Sequence, residues 1–215
     1  MNAVRSRPVV TSSVRPQPVR ALIFDFDGTL ADTMPLHWEA WQTVLRRFGL
    51  EFSEERFYAL GGVPARDILR DLAREQGVEL DPHEAAAAKS AAYLPLIPRV
   101  RRIDPVSEIA QQHRGRLPMA VATGGTRKVI ERVIGHLGMA GWFDALVTSE
   151  DVVRQKPAPD IFLEAARRLG VEPGSCRAFE DTELGLRAIR AAGMEAVSVT
   201  EILARQTRAS DLHCG

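Results

Sequence analysis

Residues 20–30 read RALIFDFDGTL, a short apolar run that ends in acids and a glycine. Such a run suits a buried strand that opens into a polar loop. Three further stretches share the pattern: LPMAVATGG (117–125), FDALVTSED (143–151) and CRAFEDTELG (176–185). A fifth apolar run, MEAVSV (194–199), follows Gly193.

Helical patterns lie between these runs. DPVSEIAQQHRG (104–115) begins with Asp104 at a cap and Pro105 at the first helical position. TRKVIERVIGHLGM (126–139) sets Val129, Ile130, Val133, Ile134 and Leu137 on one face. PDIFLEAARRLG (159–170) and TELGLRAIRAAG (182–193) each close on a glycine that can stop a helix. Strand and helix therefore alternate, which predicts a doubly wound parallel α/β sheet covered on both faces. Between Met34 and about Arg99 the alternation fails and only helical patterns remain, with Gly61–Gly62 dividing two of them and Pro95 and Pro98 closing the stretch. The expected organisation is an α/β core over 20–33 and 100–205, a helical unit over 34–99, and a leader over 1–19. Pro8, Pro16 and Pro18 make that leader a disordered extension, although its basic, acid-free composition also fits a targeting segment.

Composition narrows the partners. Lys plus Arg equals Asp plus Glu at 28 each, so no net charge favours nucleic acid or an anionic membrane. No apolar run approaches the length of a membrane span. Cys176 and Cys214 space like neither a metal site nor a disulfide framework, and a reducing cytoplasm is the plain reading.

Polar groups stand at the ends of the predicted strands: Asp25 and Asp27, Thr123 before Gly124, Lys156, and the pair Glu180–Asp181. In a parallel sheet all C-terminal strand ends open on one edge, so these residues can meet in one crevice. Carboxylates gathered there repel unless a hard cation neutralises them, and an oxygen-rich site with open positions suits Mg²⁺. Lys156 adds a fixed positive charge. The Thr123 hydroxyl and the N–H groups of Gly28, Gly124 and Gly125 can donate to phosphate oxygens. Such parts describe a phosphoryl-transfer site. Each also has a plainer explanation. The aspartates can begin a turn, Thr123 can cap the next helix, Lys156 can be a solvated lysine, and Glu180–Asp181 can cap a helix.

The ordered set DFDGTLADT (25–33), ATGG (122–125), KPAPDIF (156–162) and FEDTELG (179–185) resembles the four motifs of the haloacid dehalogenase superfamily, over roughly residues 20–200. That resemblance implies a role for each matching position. Asp25 would be the nucleophile and form an acyl phosphate. Asp27 would protonate the leaving oxygen and then activate water. Thr123, Gly124 and Lys156 would hold the phosphoryl group. Asp181, the Asp25 carboxylate and the Asp27 carbonyl would bind Mg²⁺, with Glu180 orienting a metal-bound water. Within the superfamily, the chain is most similar to the beta-phosphoglucomutase-like sugar phosphatases of the fructose-1-phosphatase kind. This implies a small phosphorylated sugar such as fructose 1-phosphate or 6-phosphogluconate, and a monomer or weak dimer.

The helical unit leaves more open. His37 and Trp41 lie one helical turn apart and either line the substrate pocket or pack the bundle. Lys89, four residues before Tyr93, either reaches the substrate or is solvated. Arg66 falls one residue from the place where the mutases carry a phosphate-binding arginine, and Thr126 stands where they carry a lysine. Beta-phosphoglucomutase, which uses the same nucleophile, is therefore the alternative to a phosphatase.

Overall fold

The computed structural model describes residues 18–211. The leader expected over 1–19 lies outside the described residues except for Pro18 and Val19, as does Cys214. The chain opens with β1 (Ala21–Phe24), β2 (Ala31–Asp32), α1 (Met34–Phe48), α2 (Glu54–Ala59), α3 (Ala65–Gln76) and α4 (Pro82–Tyr93). A 3-10 turn (Leu94–Arg99) leads to β3 (Arg101–Arg102), α5 (Asp104–His113), β4 (Met119–Ala122), α6 (Arg127–His136) and β5 (Ala145–Val147). Then come α7 (Asp160–Leu169), β6 (Cys176–Glu180), α8 (Glu183–Ala191), β7 (Glu195–Ser198) and α9 (Val199–Asp211).

The five apolar runs pair as one parallel sheet of order β5-β4-β1-β6-β7. β1 lies between β4, with Leu22 opposite Met119, and β6, with Ala21 opposite Cys176. Its four residues are all buried because helices cover both faces. Strand alternation divides them. Leu22 and Phe24 join Val106, Ile130 and Val133 of α5 and α6 on one face. Ala21 and Ile23 join Ile161, Phe162 and Ile189 of α7 and α8 on the other.

Between β2 and β3 the chain is helical. Trp41, Val44 and Leu45 of α1, Phe57 of α2, Ile68, Leu69 and Leu72 of α3, and Ala85 of α4 bury a separate apolar cluster. α3 shows why: its buried residues recur every three or four positions, so one stripe faces inward. β2 and β3 pair as a two-stranded antiparallel ribbon where the chain enters and leaves the helices.

Some local expectations shift. Ile103, not Asp104, holds the cap of α5, and Asp104 opens the helix. α4 stops at Tyr93, where Pro95 and Pro98 tighten the chain into the 3-10 turn. The β2–β3 ribbon and the extent of α9 had no counterpart among the expected elements. At the outer edge of the sheet, the Leu146 carbonyl of β5 accepts from Arg127 at 3.1 Å and from Arg168 at 2.8 Å. No helix among the described residues is long and apolar enough to cross a membrane.

Candidate active site

β1 ends at Phe24, β4 at Ala122 and β6 at Glu180, so Asp25, Thr123 and the Glu180–Asp181 pair emerge on one edge of the sheet. The crevice lies where the chain goes to β4 on one side of β1 and to β6 on the other. Lys156 enters from the loop before α7 and is 4% exposed. Its ammonium donates to Asp25 Oδ1 and to Glu180 Oε2, both at 2.6 Å. Glu180 is fully buried, and its other oxygen accepts from the Thr182 N–H at 3.0 Å and the Thr182 hydroxyl at 2.7 Å. Thr182 in turn caps α8 by accepting from Gly185 N–H. Both Glu180 oxygens are thus committed.

Asp181 Oδ1 accepts from the Thr29 hydroxyl at 2.9 Å. Its carboxylate rests on Gly28, where an added Cβ would overlap Asp181 and where φ is +85°. Only glycine fits that position easily. One oxygen each from Asp25, Glu180 and Asp181 lie within 4.8 Å of one another. Burial and then Glu180 push the Asp25 carboxyl well above its ordinary range, against the pull of Lys156. Burial and Glu180 likewise push Asp181 up to about 7, opposed by Thr29 and Lys156. For Lys156 burial favours the neutral form, yet Asp25 and Glu180 outweigh it and hold the ammonium. The single ammonium leaves the acids under-compensated, and an all-oxygen cluster of this charge fits a hard divalent cation.

Thr123 is fully buried. It does not cap α6; Thr126 holds that place. The Thr123 oxygen accepts from Gly125 N–H at 3.0 Å, which leaves the hydroxyl hydrogen to donate. Of the three glycine N–H groups named as phosphate donors, two are therefore committed internally, Gly125 to Thr123 and Gly28 to the Ala31 carbonyl at 2.9 Å. A Cβ on Gly124 would overlap the Gly62 carbonyl, so the loop between α2 and α3 lies directly over the ATGG turn.

Asp27 belongs to a second chain of contacts. Its Oδ1 accepts from the Thr33 hydroxyl at 2.7 Å and meets His37 Nε2 at 3.2 Å. His37 Nδ1 lies 2.7 Å from Lys89 Nζ. The lysine donates, so His37 is the neutral Nε2–H tautomer and donates to Asp27. The His37 ring stacks on Tyr93 at 3.9 Å. Burial works against the Asp27 carboxylate, but His37, Thr33 and Lys89 outweigh it and hold its pKa below the ordinary value. Burial lowers His37, and Lys89 adds to that. Burial lowers Lys89 to about 8, although Asp27 pulls the other way.

Lys89 is therefore not a solvated helix lysine; it is 9% exposed and bonded to His37. Arg66 is half-exposed and pairs loosely with Asp67 at 3.5 Å. A cavity of about 400 Å³ spans the two groups: Asp25, Asp27, Thr123 and Gly124 line it from the sheet, and His37, Lys89 and Arg66 from the helices. Thr33, Thr29 and Thr182 were not singled out in the sequence. Thr33 left one readable signal, a threonine at a helix start, but it makes no cap bond and turns to Asp27 instead.

A parallel sheet presenting these acids, a hydroxyl and a lysine on one edge is a site suited to phosphoryl transfer. The chain belongs to the haloacid dehalogenase-like hydrolase family, whose model matches residues 22–199. It is 41% identical over 178 residues to the fructose-1-phosphate phosphatase YqaB of Escherichia coli (strain K12), covering 83% of this chain and 95% of that one. It is 30% identical over 213 residues to the beta-phosphoglucomutase of Bacillus subtilis (strain 168), covering 90% and 92%. Among solved structures, the beta-phosphoglucomutase of Clostridium difficile superposes with a TM-score of 0.77 at 25% identity, covering 84% of each chain.

Proposed function

We propose that the chain is a Mg²⁺-dependent phosphatase of a small sugar phosphate, of the fructose 1-phosphate or 6-phosphogluconate kind, acting through a phospho-aspartate on Asp25. The observation that carries this reading is the division of labour between two aspartates two residues apart. Asp25 is paired with Lys156, whereas Asp27 is tied to Thr33 and His37.

In the first step an Asp25 carboxylate oxygen attacks phosphorus, the bond from phosphorus to the sugar oxygen breaks, and the electron pair leaves on that oxygen. Asp27 gives this oxygen its proton. The negative charge of the bound phosphate favours a protonated Asp27 for this step, because a neighbouring like charge raises a carboxyl pKa. In the second step water attacks the phosphorus of the acyl phosphate, Asp27 takes the water proton, and inorganic phosphate leaves with Asp25 restored. Thr123, Gly124 and Lys156 orient the phosphoryl oxygens. Asp25, Asp181 and the Asp27 carbonyl would hold Mg²⁺, which when bound neutralises charge on the carboxylates and phosphate. Glu180 would orient a metal-bound water. The helices over residues 34–99 would read the sugar and exclude bulk water. The reading takes the enzyme to be cytoplasmic, a monomer or weak dimer, with no nucleic-acid or membrane partner.

A beta-phosphoglucomutase reading is favoured by the B. subtilis relative and by His37 and Lys89. The half-exposed Arg66, paired with Asp67, weakens it, because that guanidinium is not held in place for a second phosphate. The test is phosphate release from fructose 1-phosphate, 6-phosphogluconate and beta-glucose 1-phosphate, with and without Mg²⁺, beside the Asp25→Asn variant. Mg²⁺-dependent release that vanishes in the variant supports the phosphatase. Asp25-dependent conversion of glucose 1-phosphate to glucose 6-phosphate, without release, would instead establish the mutase.

A further inference from the structure

Asp27 collects two donors on one oxygen: the Thr33 hydroxyl at 2.7 Å and His37 Nε2 at 3.2 Å both reach Oδ1. Among the described residues no hydrogen bond reaches Oδ2. An acid that hands a proton to a leaving group needs an oxygen free to carry it, and Oδ2 is that oxygen. The division holds only while His37 keeps its proton on Nε2 and its ring aimed at Asp27. An imidazole that turns about χ2, or moves its proton to Nδ1, takes the donor away from Oδ1.

One side chain touches both groups that prevent this. The Tyr93 ring stacks on His37 at 3.9 Å between centres and 22° between planes. The Lys89 ammonium, which donates to His37 Nδ1 at 2.7 Å, lies 5.4 Å from the centre of the same Tyr93 ring. A cation over an aromatic face is attracted to it, and that attraction favours the charged, donating lysine. Lys89 and Tyr93 are one turn apart on α4, so the helix sets both on the side that meets His37 of α1. Tyr93 is 1% exposed and belongs to the buried cluster that holds Phe26, Leu30 and Leu36, which keeps its ring in place. Its hydroxyl has no hydrogen-bond partner among the described residues, so the ring face makes the contacts. We infer that Tyr93 is a positioning residue: its ring holds the His37 imidazole and the Lys89 ammonium in line, so that His37 Nε2–H fixes Asp27 Oδ1 and leaves Oδ2 to move the proton. This rests on the phosphatase reading above, in which Asp27 is the acid and then the base, and deepens it.

The experiment compares Tyr93→Leu, which removes the aromatic face, with Tyr93→Phe, which keeps it. In phosphate release from the three sugar phosphates above, Tyr93→Leu should lower kcat roughly tenfold to a hundredfold with KM little changed, a part of what a positioned acid contributes. Tyr93→Phe should restore the lost kcat. Nitrogen-15 NMR of the His37 ring at neutral pH, assigned by its loss in His37→Gln, reads the tautomer without turnover. The parent and Tyr93→Phe should show the Nε2–H form, and Tyr93→Leu a mixture of the two neutral forms. If circular dichroism shows that Tyr93→Leu does not fold, the parent and Tyr93→Phe still decide. A parent His37 that carries its proton on Nδ1, a Tyr93→Phe variant that loses kcat, or a folded Tyr93→Leu variant with the parent's kcat and tautomer overturns the inference. Phosphate release that survives in Asp25→Asn defeats the phospho-aspartate reading instead, and the NMR comparison then stands by itself.

Discussion

Lys156→Met removes one charge and keeps the length and apolar stem of the side chain. Among the described residues the Lys156 ammonium is the only cation bonded to Asp25 and Glu180, at 2.6 Å each, and all three side chains are at most 5% exposed. Without it, two buried carboxylates face each other with Asp181 beside them. Breaking a buried ion pair by removing one partner costs about 3–5 kcal/mol, because the remaining charge is desolvated and unpaired. For a chain of this length each kcal/mol moves Tm by roughly 2–4 °C, so Tm should fall by about 6–20 °C in EDTA. Added Mg²⁺ should recover part of the loss by neutralising the same carboxylates, and lower pH should recover part by protonating them. The assay is a thermal melt followed by circular dichroism, with EDTA or Mg²⁺, at neutral and mildly acidic pH. A variant that melts within about 2 °C of the parent in EDTA would refute the view that Lys156 is the counter-charge of this cluster.

The remaining predictions probe the neighbouring groups. Thr33→Val preserves shape but deletes the hydroxyl that donates to Asp27 at 2.7 Å; kcat should drop about tenfold to a hundredfold with KM little changed, as read by steady-state kinetics. Gly124→Ala places a Cβ 2.9 Å from the Gly62 carbonyl carbon, so the α2–α3 loop must retreat; kcat/KM should fall by up to about a hundredfold while the far-UV spectrum stays native. Asp181 has its folded pKa raised to about 7 from an ordinary 3.8, so the metal-free native state binds more protons than the unfolded chain between those values. Its stability should therefore decline as pH rises from about 4 to 7, and Mg²⁺ should flatten that slope in urea unfolding.

The fold was legible because its signals are local. Each strand of the main sheet is a short apolar run ending in a polar residue, and each α/β helix carries its own stripe and stop. Two-residue strands carry no such pattern, so the β2–β3 ribbon, with Arg101 and Arg102 exposed, was invisible. The site was legible to the level of which residues share an edge, since strand ends are a topological matter. Its pairings were not. Nothing local says that one lysine will span Asp25 and Glu180, or that Lys89 will meet His37 across 52 positions, since α1 and α4 must first pack together. Nor can spacing say that Thr33 will forgo its cap for Asp27, because that choice is made by the tertiary position of the carboxylate.

The double arginine contact on Leu146 bears on how the molecule behaves among copies of itself. β5 pairs with β4 on one side only, and an outermost strand normally invites another chain to continue the sheet. Here the acceptor that such a chain would seek is already taken by two guanidinium groups, which Asp151 holds at 2.8 Å and 2.7 Å. A newcomer must displace charged, well-anchored side chains before its first backbone bond forms.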